Sequence, residues 1–206
     1  MKAKSNKIDG NTEEKILKAA ISVFHRKGLH GARMQEIADE AGINKAMLYY
    51  YFTTKEQLFE VVFEKTVLQI FPKINSLLTS DLPLMLKIEV FVNTYTDILK
   101  EHYYATGFVI SELNFNTEKA TDLMVKKSGW NMSVFEKQVN DAIAQGVIRP
   151  VDVRELITHM FSVVIFPFII MKMFMKRFNM NEQEYLNFLD NRKKETVRLL
   201  MEYLKK

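Results

Sequence analysis

Seven glycines and four prolines punctuate 206 residues, and that scarcity limits the chain to long helices. A sandwich or barrel turns every few residues and needs far more turn formers than this. Between the breaks, apolar residues recur at spacings of three and four, the period of one helix face. Ile16, Leu17, Ala20, Ile21 and Phe24 form such a face. The spacing predicts helices over Asn11 to Lys27, Met34 to Ala41, Asn44 to Tyr51, and Thr54 toward Pro72. Further helices are predicted near 84–100, 102–114, 117–145, 152–178 and 182–204. Gly28, Gly42, Pro72, Pro83, Gly146 and Pro150 fall between them. Asn11 with Glu14, and Thr54 with Gln57, have the spacing of capping boxes. Pro167 is expected to kink the helix that holds it.

The stretch Gly28–Lys55 reads as helix, tight turn, helix. Gly42 supplies the bend, and Ile37, Ala38, Ile43, Leu48 and Phe52 have the spacing of a small core. The second helix then keeps Asn44, Lys45, Ala46, Met47, Tyr49, Tyr50 and Tyr51 for its outside. Three consecutive helical residues cover about 200° of arc, so the tyrosines cannot all be buried. A short helix showing lysine, asparagine and tyrosine suits the major groove of double-stranded DNA, which is one helix wide. Tyrosine hydroxyls and Lys55 suit phosphates, Asn44 and Lys45 base edges, Ala46 or Met47 a thymine methyl. Charge agrees. Residues 1–55 hold ten Lys plus Arg against six Asp plus Glu, whereas the remainder holds 19 of each. The whole excess of +4 therefore sits beside the motif, where a polyanion would be met.

Gly28, Glu36-Ile37-Ala38, Ala41-Gly42-Ile43, Leu48-Tyr49-Tyr50-Tyr51-Phe52 and Lys55-Glu56-Gln57-Leu58 stand in an order and spacing that resembles the DNA-binding domain of TetR-family repressors. The resemblance covers residues 12–60. It implies a homodimer on a palindromic operator, with the third helix as the recognition helix. Tyr49 and Lys55 would grip phosphates, and Lys45, Ala46, Met47 and Tyr50 would face bases. It also implies a small molecule sensed in the C-terminal domain, whose binding releases DNA. Two departures stand out. Ala32 and Arg33 occupy the start of the second helix, where the family often has Ser or Thr, so the hydroxyl cap is missing and Arg33 is a candidate phosphate contact. Ala46 and Met47 replace the family's frequent Gly or Pro and small residue, which bears on the operator sequence.

The expected organisation is all-α: a basic arm over 1–10, a three-helix helix-turn-helix domain over 11–60, and a helical ligand-binding and dimerisation domain over 61–206. The body is rich in Met and aromatic residues, which suit an adaptable apolar pocket. Phe91, Tyr95, Tyr104, Phe108, Trp130, Phe135, Met160 and Phe161 are its candidate lining, for a neutral or amphipathic ligand. The helix over 152–178 is apolar nearly all round, and the last helix has one wide apolar face. Val164, Phe168, Met175, Phe188, Thr196, Leu199 and Tyr203 are the expected two-fold interface.

Other classes fare worse. Leu156 to Met171 is an uncharged run of 16 residues, short of the roughly 20 that a bilayer span wants, so a buried helix and no membrane are expected. A membrane-associated helical protein built on it would leave the helix-turn-helix unexplained. No cysteine exists for a thiol nucleophile or thiolate site. His25, His30, His102 and His159 are scattered, and no catalytic triad order, phosphate loop or carboxylate pair stands out. No enzyme activity, cofactor or metal is expected. With no apolar leader, the expected location is the cytoplasm. A constitutive DNA binder without a ligand is the alternative within the same class.

Overall fold

The computed structural model describes residues 10–115 and 117–206, the side chains at 104, 105, 111, 115, 119 and 124 excepted. The expected arm over 1–10 lies, apart from Gly10, outside the described residues, as does the side chain of Tyr104. Every regular element among the described residues is helical, an N-terminal helix-turn-helix and a C-terminal helical body. Two compact units divide the chain, residues 1–66 and 67–206.

The first unit holds α1 (Gly10–Gly31), α2 (Met34–Ala41), α3 (Lys45–Tyr51) and the start of α4 (Lys55–Leu78). Ile16, Leu17, Ala20, Val23 and Phe24 of α1 are buried with Ile37 and Ala38 of α2, and with Leu58 and Val62 of α4. The rings of Phe24 and Phe59 meet edge to face at 5.0 Å. Helical geometry breaks at Gly28, whose φ of 66° belongs to the left-handed region where glycine carries no side-chain penalty. Gly42 (φ 68°, ψ 33°) ends α2. Its amide bonds to Asp39 O, and the amide of Ile43 to Ala38 O, so a Schellman pair satisfies the last carbonyls. Thr54 Oγ1 accepts the Gln57 amide, but the Gln57 side chain reaches the amide of Thr53 rather than that of Thr54.

The second unit is built from the remainder of α4 and from α5 (Leu84–Glu101), α6 (Tyr103–Phe115), α7 (Thr117–Asp122), a π-helical segment (Leu123–Lys127), α8 (Ser133–Ala144), α9 (Val153–Phe178) and α10 (Glu182–Leu204). Its core is Ile88, Phe91, Val92 and Leu99 of α5, Phe135 and Val139 of α8, Leu156, Met160, Val164 and Phe168 of α9, and Tyr185, Leu189 and Leu200 of α10. Asp152 caps α9, and Asn181 with Glu184 closes a capping box on α10. The hydroxyl of Tyr185 donates to Pro167 O at 2.8 Å.

Two boundaries differ from the sequence expectation. Pro72 does not end α4, which continues to Leu78; a proline costs one helical N–H but does not forbid the helix where packing holds it. Beyond it, buried Lys87 donates from Nζ to Leu78 O (2.9 Å) and Ser80 O (2.6 Å), closing the C-terminal end of α4; burial pushes its ammonium pKa down. The single helix expected over 117–145 widens from α7 into the π-helical segment at Leu123 and is broken before α8, where Gly129 turns the chain at φ 69°.

Candidate nucleic-acid interface

Leu48 is the one α3 residue buried to the last percent, at 0% exposure. It pins the helix from beneath, and everything else follows from the 3.6-residue period. Met47, Tyr49 and Tyr50 are 42%, 41% and 66% exposed. Lys45 and Ala46 are exposed beside them, and Tyr51 is half-buried. The Tyr50 and Tyr51 rings meet edge to face at 5.5 Å. Lys45 Nζ lies 5.7 Å from the Tyr49 ring centroid, which draws the ammonium over an aromatic face.

Asn44 has a structural part that the sequence expectation did not include. Its side-chain oxygen accepts the Met47 amide at 2.7 Å, so it serves as the N-cap of α3 and satisfies a backbone donor the helix would otherwise leave orphaned. Arg33 is the exposed N-cap residue of α2, extended at φ −121° and ψ 138°, with no side-chain cap. Lys55, the first residue of α4, donates from Nζ to Ala32 O at 3.1 Å. Two ion pairs brace α1 on α2, Arg26 with Glu40 and Lys27 with Glu36. The hydrogen bond from Lys27 holds the Glu36 carboxyl below its usual pKa, and that from Arg26 does the same for Glu40.

In the body, Phe91, Tyr95, Phe108, Phe135 and Met160 are buried, and Trp130 and Phe161 are partly buried. Phe161 joins several of them, its ring centroid 5.0 Å from Phe91, 5.5 Å from Tyr95 and 5.8 Å from Trp130. Trp130 also meets Phe71 of α4 at 5.5 Å. Burial pushes the Tyr95 phenol pKa up.

The expected two-fold interface is only half at the surface. Val164, Phe168 and Thr196 are 4%, 7% and 4% exposed and belong to the interior of the protomer. Met175, Phe188 and Tyr203 are half-buried, and Leu199 is 56% exposed. Among the apolar residues that α9 does present are Phe166, Ile169 and Met173, at 57%, 52% and 64% exposure, none of them among the expected interface residues. Helix α9 is also long and apolar enough to cross a membrane, with a mean hydropathy of 1.9, but Leu156, Met160, Val164, Phe168 and Met171 bury one of its sides in the core.

Comparison with known proteins places these features. Residues 16–62 match the family described as bacterial regulatory proteins, tetR family. The HTH-type transcriptional repressor NicS of Pseudomonas putida is 47% identical over 53 residues, 26% of this chain and 25% of that protein. The HTH-type transcriptional regulator RutR of Escherichia coli O157:H7 is 26% identical over 145 residues, 69% of this chain and 66% of that one. The chain thus spans a quarter to under two thirds of the length of these relatives. A crystal structure of a HlyIIR mutant protein superposes with a TM-score of 0.59 at 28% identity, covering 77% of this chain and 84% of the other. FadR of Bacillus subtilis, solved with stearoyl-CoA, superposes at 0.63 and 16% identity over 91% and 97%. The matched head segment, residues 16–62, contains the Gly42 turn and the exposed face of α3, so this part of the chain is similar to bacterial regulatory proteins, tetR family, and an all-helical body follows it.

Proposed function

We propose that this chain is a sequence-specific DNA-binding repressor, acting in the cytoplasm as a homodimer on a palindromic operator that it leaves when a small apolar or amphipathic ligand occupies its body. The observation that carries the reading is the outer face of α3, where Lys45, Met47, Tyr49 and Tyr50 stand exposed on a helix fixed by buried Leu48. Lys45, Ala46, Met47 and Tyr50 read base edges, Tyr49, Lys55 and Arg33 hold phosphates, and Asn44 keeps the helix capped. The exposed residues Phe166, Ile169 and Met173 of α9, with Leu199 of α10, form the surface on which a second copy packs. Selection of duplexes from a random pool by the purified chain, followed by titration of the enriched sequence, tests the reading. Enrichment of a two-fold-symmetric sequence is expected; equal retention of all duplexes defeats it.

The ligand reading rests on the aromatic group around Phe161, with Trp130 at its edge. A constitutive binder is the second reading, favoured by the mutual contact of those rings at 5.0–5.8 Å, which is the packing of a filled core. A screen of apolar and amphipathic compounds, stearoyl-CoA among them, read by release of the selected operator decides between the two.

A further inference from the structure

All the sulfur of this chain is thioether, in twelve methionines with no cysteine. In a core, methionine serves as a flexible gap filler, and Met34, Met160 and Met171 do so at 7%, 1% and 7% exposure. Among the described residues, the methionines that stand exposed are Met47 and Met173, at 42% and 64%. Met173 lies on the surface assigned above to the second copy. Met47 fills no gap: it stands on the outside of α3, the helix that also exposes Lys45, Tyr49 and Tyr50. Its side chain is not what holds that helix. The Met47 amide is fixed by Asn44 Oδ1 at 2.7 Å, and the anchor of α3 is Leu48, at 0% exposure. A chemical change at the Met47 thioether therefore alters the face offered to DNA and leaves the helix made.

We propose that Met47 is an oxidation site: a hydroperoxide converts its thioether to the sulfoxide, and the operator is released. The inference rests on the DNA-binding reading above. With hydrogen peroxide, the sulfur lone pair attacks one oxygen and the O–O bond breaks as the S–O bond forms. Sulfur is oxidised by two electrons, and the other oxygen is reduced and leaves as water, taking the proton of the transferred oxygen. The soft apolar end, which suits a thymine methyl, becomes a polar sulfoxide. Its oxygen carries partial negative charge and accepts hydrogen bonds, so it matches neither a methyl group nor the phosphates beside it. The sulfoxide is also reducible enzymatically, which makes the change reversible.

The test uses the full chain, its selected operator and hydrogen peroxide, with peptide mass mapping along the time course. The added oxygen is expected on the peptide holding Met47, and more slowly when operator is bound. Affinity is expected to fall about tenfold in step with it, within the range for one lost base contact. The melting curve is expected to stay that of untreated protein. Reductases for the two sulfoxide epimers are expected to restore binding. Met47→Leu carries no thioether at this position; whatever its own affinity, peroxide is expected to leave that affinity unchanged, while Met173→Leu keeps the full loss. Oxidised protein that binds like untreated protein overturns the inference, as does a loss that persists in Met47→Leu. A melting temperature that falls with the affinity, or Met47 oxidised as fast on operator as off it, overturns it too. An untreated wild type that retains no duplex overturns the DNA-binding reading and this inference together, and is recognised before any peroxide is added.

Discussion

Leu48 and Tyr50 lie two residues apart on α3 and are expected to fail in opposite ways. Leu48 is 0% exposed. Cutting it to alanine removes three buried carbons, about 2.4 kcal/mol at roughly 0.8 kcal/mol each, and the remaining cavity raises the loss to about 3–4 kcal/mol. A unit the size of residues 1–66 has a stability of only about 5 kcal/mol, so Leu48→Ala should leave it about 1–2 kcal/mol, lower its melting temperature steeply and weaken binding by that route. Tyr50 is 66% exposed and gives up an edge contact with Tyr51 worth about 0.5 kcal/mol. Tyr50→Ala should therefore change stability by no more than about 0.5 kcal/mol, yet cost operator binding about 1–3 kcal/mol, or roughly 5- to 150-fold. Thermal unfolding by circular dichroism, at one protein concentration because dimer stability depends on it, is compared with operator titration for each variant. If Tyr50→Ala lowered the melting temperature as far as Leu48→Ala, or if Leu48→Ala melted and bound like wild type, the division between anchor and reading face would be wrong.

Three further outcomes are expected. Phe166→Glu, at a site 57% exposed in the protomer, should give a folded monomer by sedimentation velocity, whereas Phe168→Glu, at 7%, should unfold the body because a charge would enter the core; two folded dimers would contradict the assigned surface. The hydrogen bond from Arg154 holds the Asp152 carboxyl down at about 2. A carboxylate depressed by folding adds stability above its unfolded pKa of about 4 and loses it as pH falls toward 2, so acid titration of unfolding should show a shallower drop in that window for Asp152→Asn than for wild type. Trp130 is the only tryptophan and packs on Phe71 and Phe161. A ligand seated among these rings should change its fluorescence and release operator with one midpoint, and unequal midpoints would separate the Trp130 site from the switch.

The head was legible because each of its demands is local. A tight turn asks for a left-handed residue, and Gly28 and Gly42 stand where φ is 66° and 68°. A seven-residue helix needs one inward anchor, and only Leu48 has the spacing to meet the α2 face that Ile37 and Ala38 begin. At Asn44 two readings compete: an exposed amide beside a lysine suits adenine. The same residue at the start of a helix suits the orphan amide three residues on, and the cap is a bond the chain makes without any partner. The bond from Lys55 to Ala32 O could not be read at all, since no spacing rule links side chains and carbonyls 23 residues apart.

The body resisted for a different reason, visible in α9. Periodicity finds a buried face by contrast with a polar one, and here Phe166, Ile169 and Met173 are as apolar as Met160, Val164, Phe168 and Met171. Composition cannot tell which set points inward, yet spacing restricts the choice. Met160, Val164, Phe168 and Met171 follow steps of four, four and three, so they form one stripe, and all four are buried. Placing Met160 in an interior pocket while placing Val164 and Phe168 on a two-fold surface asks one stripe of a helix to face two ways. Phe166, Ile169 and Met173 follow steps of three and four on the far side and are all more than half exposed. Once Met160 is taken as interior, helix geometry alone moves the surface from Val164 and Phe168 to these three.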